Sequence, residues 1–438
     1  MHRLAALTAV LLPALFHTGA AQAGSLDFKT LTSNTHVLMP GDGRLALSID
    51  LTADKANKNE RLPMNVALVI DRSGSMLGDK MEQTRAAAAA FVRQLGDNDT
   101  FSIISYSDDV RVDVPSRRAN AAARQVAFAV IEAMSAAGST NLSGGLVRGQ
   151  EEVERAFAQG QVNRVILMSD GLANRGITDT KAIAQLARTH AQRGISVTTM
   201  GVGTDYAEDL MTAIADQGSG NYYFIQDAKQ IAGVLSTELD RMFSTVAQAT
   251  SVSIHLDDGV DLVNVYGYTF TRQGDVVTIP LAELFGGQRR SILVEVQLPL
   301  IREGRFPVVN VSLDYLDVRE DGKKTGQNMR IDTQVTKDAK LVEAGRNKIV
   351  AERIEEIRAA TVMVQAADLL RDGRREEAKD LMKGEVQRLR VQGKALGGST
   401  RVNVQVEVLE KLQYDFDDSS MAPATIKATK ARAYEQAK

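Results

Sequence analysis

The 438-residue chain contains no cysteine, only eight prolines and only five histidines, two of which, His2 and His17, fall in an N-terminal apolar stretch. Without cysteine there can be no disulfide, thiolate zinc site, thiol nucleophile or covalent haem attachment. Charge of one sign is lacking too: 52 Lys+Arg stand against 55 Asp+Glu, a formal net charge of −3, which provides no basic field for nucleic acid. Beyond residue 23 no run of about 20 uninterrupted apolar residues occurs, so no transmembrane anchor is expected. There is no G-x-S-x-G elbow, no P-loop and no G-x-G-x-x-G, so acyl transfer, NTP hydrolysis and dinucleotide chemistry lack their minimum parts. Hydrophobic residues still make up 44% of the chain, enough for folded domains whose chemistry has to run on oxygen ligands.

The first 23 residues read as an export signal. Met1-His2-Arg3 is a short positive start, Leu4 to Phe16 is apolar but too short to span a bilayer, and Ala21-Gln22-Ala23 is a small-x-small cleavage site. Cleavage is expected after Ala23. The mature protein is then periplasmic or secreted, and no Cys follows the apolar run to carry a lipid.

Three regimes of periodicity follow. Over residues 64–244 short apolar runs alternate with helical patterns, the signature of a doubly wound α/β fold with a mostly parallel sheet. Its strands are expected at Met64 to Ile70, Phe101 to Tyr106, Val110 to Val114, Arg164 to Met168, Ser196 to Gly201 and Tyr222 to Ile225, with six helices between and after them, the last over Lys229 to Phe243. The flanks, 24–63 and 245–336, alternate with period two, as in Leu45, Leu47, Ile49 and Leu51 or Val309, Val311, Leu313 and Tyr315. A two-strand flank cannot fold alone, so the two flanks are expected to build one β-sandwich with the α/β domain inserted between its strands. From 337 to 418 the period becomes 3.6. Ile349, Val350, Ile354, Ile357, Val364, Ala367 and Leu370 form one face, and Ala378, Leu381, Met382, Val386 and Leu389 another, with a break at Arg371-Asp372-Gly373. Val402 to Val408 is read as helix. The small, polar residues 419–438 read as a disordered tail.

The strand Met64 to Ile70 ends in Asp71-Arg72-Ser73-Gly74-Ser75, at the carboxyl rim where α/β sheets bind ligands. Alone, such a string is common in turns and helix caps. Two other loops, Gly138-Ser139-Thr140-Asn141 and Ser169-Asp170-Gly171, converge on the same spot if their strands flank the switch point. Together they offer the hydroxyls of Ser73, Ser75 and Thr140 and the carboxylates of Asp71 and Asp170, with no nitrogen or sulfur. That donor set suits Mg2+, or Mn2+ or Ca2+, and leaves room for an outside ligand. Because two carboxylates roughly cancel a 2+ ion, an acidic side chain from a protein partner would be attracted. Arg72 could steer such a ligand or be a solvated loop residue. His190 and His255 are assigned to a helix and a strand away from these loops, so no general base is placed for hydrolysis.

These residues resemble the von Willebrand factor type A family and its metal-ion-dependent adhesion site. Asp71, Ser73 and Ser75 match the D-x-S-x-S loop, Thr140 the second loop and Asp170 the third, in family order. Thr199-Met200-Gly201-Val202-Gly203 and Gly218-Ser219-Gly220-Asn221-Tyr222-Tyr223 are similar to the family's last two strands. The likeness covers about residues 64 to 243, and the flanking strands look like those of exported bacterial members, including ones related to inter-alpha-trypsin inhibitor heavy chains. The resemblance implies that Ser73, Ser75 and Thr140 ligate the ion directly, that Asp71 and Asp170 do so directly or through water, and that a partner carboxylate completes the shell in a non-enzymatic binding protein. It also implies that a shift of the last α/β helix could transmit metal binding to the sandwich. The competing readings are an envelope scaffold whose metal only stabilises the loops, a metal-dependent hydrolase, and a cytoplasmic partner of an ATPase, the last opposed by the export signal.

Overall fold

A computed structural model of the chain describes residues 24–55, 61–320, 322–416 and 422–437; the expected export signal lies outside them. The described residues begin with three strands, β1 (Leu26–Thr32), β2 (His36–Leu38) and β3 (Arg44–Ala53). It then passes through the α/β region in the order β4 (Met64–Asp71), α1 (Asp79–Gln94), β5 (Thr100–Tyr106), β6 (Val110–Arg118), α2 (Ala121–Ala133), α3 (Leu142–Arg155), β7 (Val162–Ser169), α4 (Thr180–Ala191), β8 (Ser196–Val202), α5 (Glu208–Gln217), β9 (Ser219–Ile225) and α6 (Ile231–Phe243).

These six strands form one sheet in the order β6-β5-β4-β7-β8-β9, parallel except for the edge strand β6. The chain builds outward from β4 in one direction and then from β7 in the other, so the switch point lies between β4 and β7. Continuous apolar sequence is what a strand covered by helices on both faces requires. Along β4, Met64, Val66, Leu68 and Ile70 pack with Phe91 of α1 and with Leu235 and Leu239 of α6. Ala67 and Val69 point the other way, onto Leu146 and Val153 of α3. The edge strand, expected over Val110 to Val114, runs on to Arg118, and α2 starts after it, where Asn120 caps it by accepting a hydrogen bond from the Ala123 amide.

After α6 the chain enters β10 (Thr245–Leu256) almost at once, followed by β11 (Asp261–Tyr266), β12 (Thr271–Gln273), β13 (Val276–Phe285), β14 (Arg289–Gln297), β15 (Gly304–Asp317) and β16 (Lys323–Thr336). One sheet runs β1-β3-β14-β11 and the other β12-β13-β10-β15-β16-β2. Strands from both flanks therefore share both sheets, with the α/β region inserted between β3 and β10. Leu47, Ile49 and Leu51 of the first sheet meet Val252, Ile254, Val311 and Leu313 of the second in one apolar layer, as the period-two pattern requires. No strand was expected over β16. Its sequence is mostly polar, and alternation shows only at its end, where Ile331, Thr333 and Val335 are buried.

The C-terminal region consists of α7 (Ala339–Ala344), α8 (Lys348–Arg371), α9 (Arg375–Ala395), α10 (Thr400–Asp415) and α11 (Ala422–Ala437). Within α8, Val350, Ile357, Ala367 and Leu370 are buried as expected, but Ile349 and Val364 are exposed and Ala359, Ala360, Met363 and Ala366 also lie inside. Small residues there let the neighbouring helices approach closely. The disordered tail expected over 419–438 is corrected by α11. Ala424, Ile426, Thr429 and Ala433 are buried, and Lys430 bonds to Asp209 of α5 and Asp368 of α8. Alanine-rich sequence has high helix propensity, and Lys427 and Lys430 find carboxylates on α5 and α8.

Candidate metal site at the sheet switch point

The loops after β4 and β7, with the loop before α3, meet at the carboxyl end of the sheet. The Asp71 side chain is fully buried and folds back on its own loop, accepting the Ser73 amide at 2.8 Å through Oδ1. Its Oδ2 accepts the Ser169 hydroxyl at 2.8 Å, which ties the first loop to the end of β7. Ser73 Oγ and Ser75 Oγ lie 3.0 Å apart, and Ser75 Oγ donates to Asp170 Oδ1 at 2.7 Å. Asp170 is fully buried, and its Oδ2 accepts Lys80 Nζ at 2.6 Å.

Backbone bonds hold the second loop against the first. The Gly74 amide donates to the Gly138 carbonyl at 2.9 Å and the Ala137 amide to the Arg72 carbonyl at 2.8 Å. Gly138 has φ +83°, and a Cβ there would fall 2.2 Å from Asp108 Oδ2, so only glycine fits this turn. Thr140 is bound to the third loop in both directions, its amide donating to Asn174 Oδ1 at 2.8 Å and its carbonyl accepting the Asn174 amide at 3.2 Å.

Gly171 reports where the hydroxyls point. A Cβ at this position would lie 3.2 Å from Thr140 Oγ1, 3.3 Å from Ser75 Oγ and 4.0 Å from Ser73 Oγ. Side-chain oxygens from three separate loop positions thus converge beside the residue that follows Asp170. Hard oxygen donors, two carboxylates and a glycine that keeps the centre clear fit a divalent cation. Among the described residues no group of three or more His, Cys, Asp or Glu is placed to hold a metal, so hydroxyls have to provide part of any shell here.

Burial raises the Asp71 carboxyl above its ordinary range, helped by the nearby Asp170 charge and opposed by the hydrogen bonds from Ser73 and Ser169. The phenol of Tyr106 beneath the site is pushed far up by burial and by Asp71, and it donates to the Met168 carbonyl at 2.9 Å.

All five expected residues are brought to one place. Arg72 fits neither role considered for it: its side chain is largely buried and forms an ion pair with Asp109. Asp109 is held down to about 2 by its bond from Arg111 and by Arg72. The histidines lie elsewhere. His190 of α4 sits 3.8 Å from Glu154 Oε2, and His255 is in β10. Sequence reasoning missed Ser169 as the clamp on Asp71 and Lys80 as the partner of Asp170. A signal for Lys80 exists, since a cation in the first turn of α1 opposes the helix dipole and calls for a nearby anion.

Comparison with known proteins bears on the fold of the α/β region. Residues 65–237 match the family model of the von Willebrand factor type A domain, so the chain contains such a domain. An uncharacterised Escherichia coli (strain K12) protein, YfbK, is 34% identical over 217 residues, covering 49% of this chain and 37% of the relative. Inter-alpha-trypsin inhibitor heavy chain H1 of Sus scrofa is 31% identical over 185 residues, covering 40% of this chain and 20% of the relative. The chain therefore spans well under half the length of these two relatives. Among solved structures, the von Willebrand factor type A protein from Catenulispora acidiphila superposes with a TM-score of 0.72 at 17% identity over 94% of this chain and 97% of that one, a likeness of fold.

Proposed function

We propose that this chain is an exported binding protein, periplasmic or secreted, whose type A domain holds Mg2+, or Mn2+ or Ca2+, through Asp71, Ser73, Ser75, Thr140 and Asp170. A protein partner is captured when its Asp or Glu carboxylate completes the ion's shell. The observation that carries this reading is the convergence of the Ser73, Ser75 and Thr140 hydroxyls beside Gly171, next to the Asp170 carboxylate. A divalent ion there supplies an electrostatic bridge between the chain and an anionic ligand. The chain's own residues do the rest. Ser169 and the Ser73 amide orient Asp71, Asn174 fixes Thr140, and Ser75 orients Asp170.

The rim bears on the partner's chemistry. Leu77, two residues past Ser75, is 68% exposed; Leu172, two past Asp170, is 59% exposed; and Ile177, whose amide donates to Ser143 Oγ on α3, is 46% exposed. An acidic residue flanked by apolar side chains would meet both the ion and this rim. Among the described residues no helix is long and apolar enough to cross a membrane. A catalytic reading is weaker because His190 and His255, the histidines considered as general bases, stand on other elements.

Capture from envelope and culture fractions tests the proposal, with wild type, Asp71→Ala, and wild type in EDTA. A metal bridge requires the retained protein to disappear in both latter cases. If capture is unchanged while the melting temperature falls in EDTA, the metal is a structural brace and the scaffold reading replaces this one.

A further inference from the structure

Lys80 stands apart from the other charges around the site. It is the second residue of α1, where the helix dipole disfavours a cation, yet its ammonium lies 2.6 Å from the fully buried Asp170. The other Asp170 oxygen takes the Ser75 hydroxyl, so Lys80 and the serine loop share one carboxylate. The lysine stem passes Gly203, a turn residue at φ +76° after β8, where a Cβ would come 3.4 Å from both Cε and Nζ. The Lys80 side chain is 26% exposed, enough to stay hydrated while still reaching a buried anion.

The charge count around the site has two consequences. Asp71 and Asp170 contribute two negative charges and Lys80 one positive charge. A divalent ion added to this set leaves it net positive by one, whereas the two aspartates alone would neutralise the ion. Lys80 therefore opposes the ion by like-charge repulsion and, once the ion is in, leaves a positive centre that draws an anion. Ion and anion binding are reciprocal, so a residue that weakens the first in isolation and strengthens the second increases the coupling between them.

We infer that Lys80 sets the specificity of this site: it holds metal affinity down in the free protein and makes metal retention depend on an anionic ligand. The inference rests on the metal-site reading above and concerns this lysine alone. Lys80 is a positioning residue, acting on Asp170 and on the charge of the centre.

The test is calorimetric titration of the full chain with Mn2+, followed by acetate titrated into the Mn2+-saturated protein, for wild type, Lys80→Met, Lys80→Gln and Lys80→Arg. Both neutral variants are expected to bind Mn2+ about 10-fold tighter, equivalent to about 1.4 kcal/mol. Their loaded forms are expected to hold acetate several-fold more weakly, and Lys80→Arg is expected to follow wild type. The Mn2+-induced rise in melting temperature, read in parallel, is expected to be larger for the neutral variants, which a purely structural lysine would not produce. Unchanged or weaker Mn2+ binding in Lys80→Met and Lys80→Gln overturns the inference and leaves the metal site standing. A gain in Lys80→Arg equal to that of the neutral variants also overturns it, since charge would then not be the cause. No uptake by any variant removes the metal site and this inference together.

Discussion

Strand β7 carries a buried charge cluster at each end, and the two are built differently. Near its start, Arg164 is fully buried and ion-paired with both Glu238 of α6 and Glu283 of β13. Those carboxylates are saturated. Glu238 accepts Thr198 at 2.6 Å, Asn221 at 3.0 Å and Tyr223 at 2.7 Å, and Glu283 accepts Ser196 at 3.3 Å. Just past its other end, Asp170 shares its carboxylate between Lys80 and Ser75, whose hydroxyl lies with those of Ser73 and Thr140 around a common centre. A closed cluster of donors and acceptors fixes geometry. An open one, made of hydroxyls and with its charges incompletely balanced, is suited to an outside ion. The closed cluster also joins the last α/β helix to the sandwich, so any motion of α6 in response to the site has to work against Arg164.

Breaking the closed end should give the largest effect. Arg164→Met leaves Glu238 and Glu283 buried without their cation, and a loss of about 3–5 kcal/mol is expected, equal with and without metal in thermal or urea melts. At the open end the effect should be conditional. Wild type at a Mn2+ concentration near 100 times its dissociation constant should gain about 2.7 kcal/mol, and Asp71→Ala should gain nothing.

The two ends should also respond to acid with opposite signs. Burial would raise the Glu238 carboxyl, but Arg164 and the hydrogen bonds from Thr198 and Tyr223 outweigh it and hold it below its ordinary value of 4.5. Its stabilising contribution is then complete above that value and is lost as pH falls through the depressed one. Asp71 is raised, so its ionised form costs stability in the metal-free protein, and that cost is relieved as pH falls through the raised value toward 3.8. The destabilisation of Glu238→Gln should therefore shrink on acidification below about pH 4.5, and any stabilisation of metal-free Asp71→Asn should shrink over its own acid window. Melts across pH 3 to 7 in EDTA, roughly the carboxylate range, would separate the two.

The smallest change in stability is expected from Gly171→Ala. The added methyl enters the space onto which the three hydroxyls converge while leaving every charge in place. Metal-free stability should move by less than about 1 kcal/mol, but Mn2+ binding should be lost.

Legibility in the sequence followed the range of the interactions. Asp71, Ser73 and Ser75 sit within five residues at a strand end, and the strings around Thr140 and Asp170 occupy the same kind of loop, so local pattern and topology were enough to bring them together. Strands β3 and β15 alternate apolar and polar residues strongly enough to reveal a half-buried sheet. Arg164, Glu238 and Glu283 are an ordinary basic residue in a strand and two ordinary acidic ones, separated by 74 and 119 positions, and nothing local marks them as one buried cluster. Strand β16 is too polar to stand out, and α11 owes its place to carboxylates on α5 and α8 that no local pattern reveals.

The most direct measurement is Mn2+ titration of wild type and Gly171→Ala by calorimetry, with thermal melts to verify that both are folded. The proposed site requires one Mn2+ per chain in wild type and none in Gly171→Ala at equal metal-free stability. Equal Mn2+ binding by both, or none by folded wild type, would contradict it.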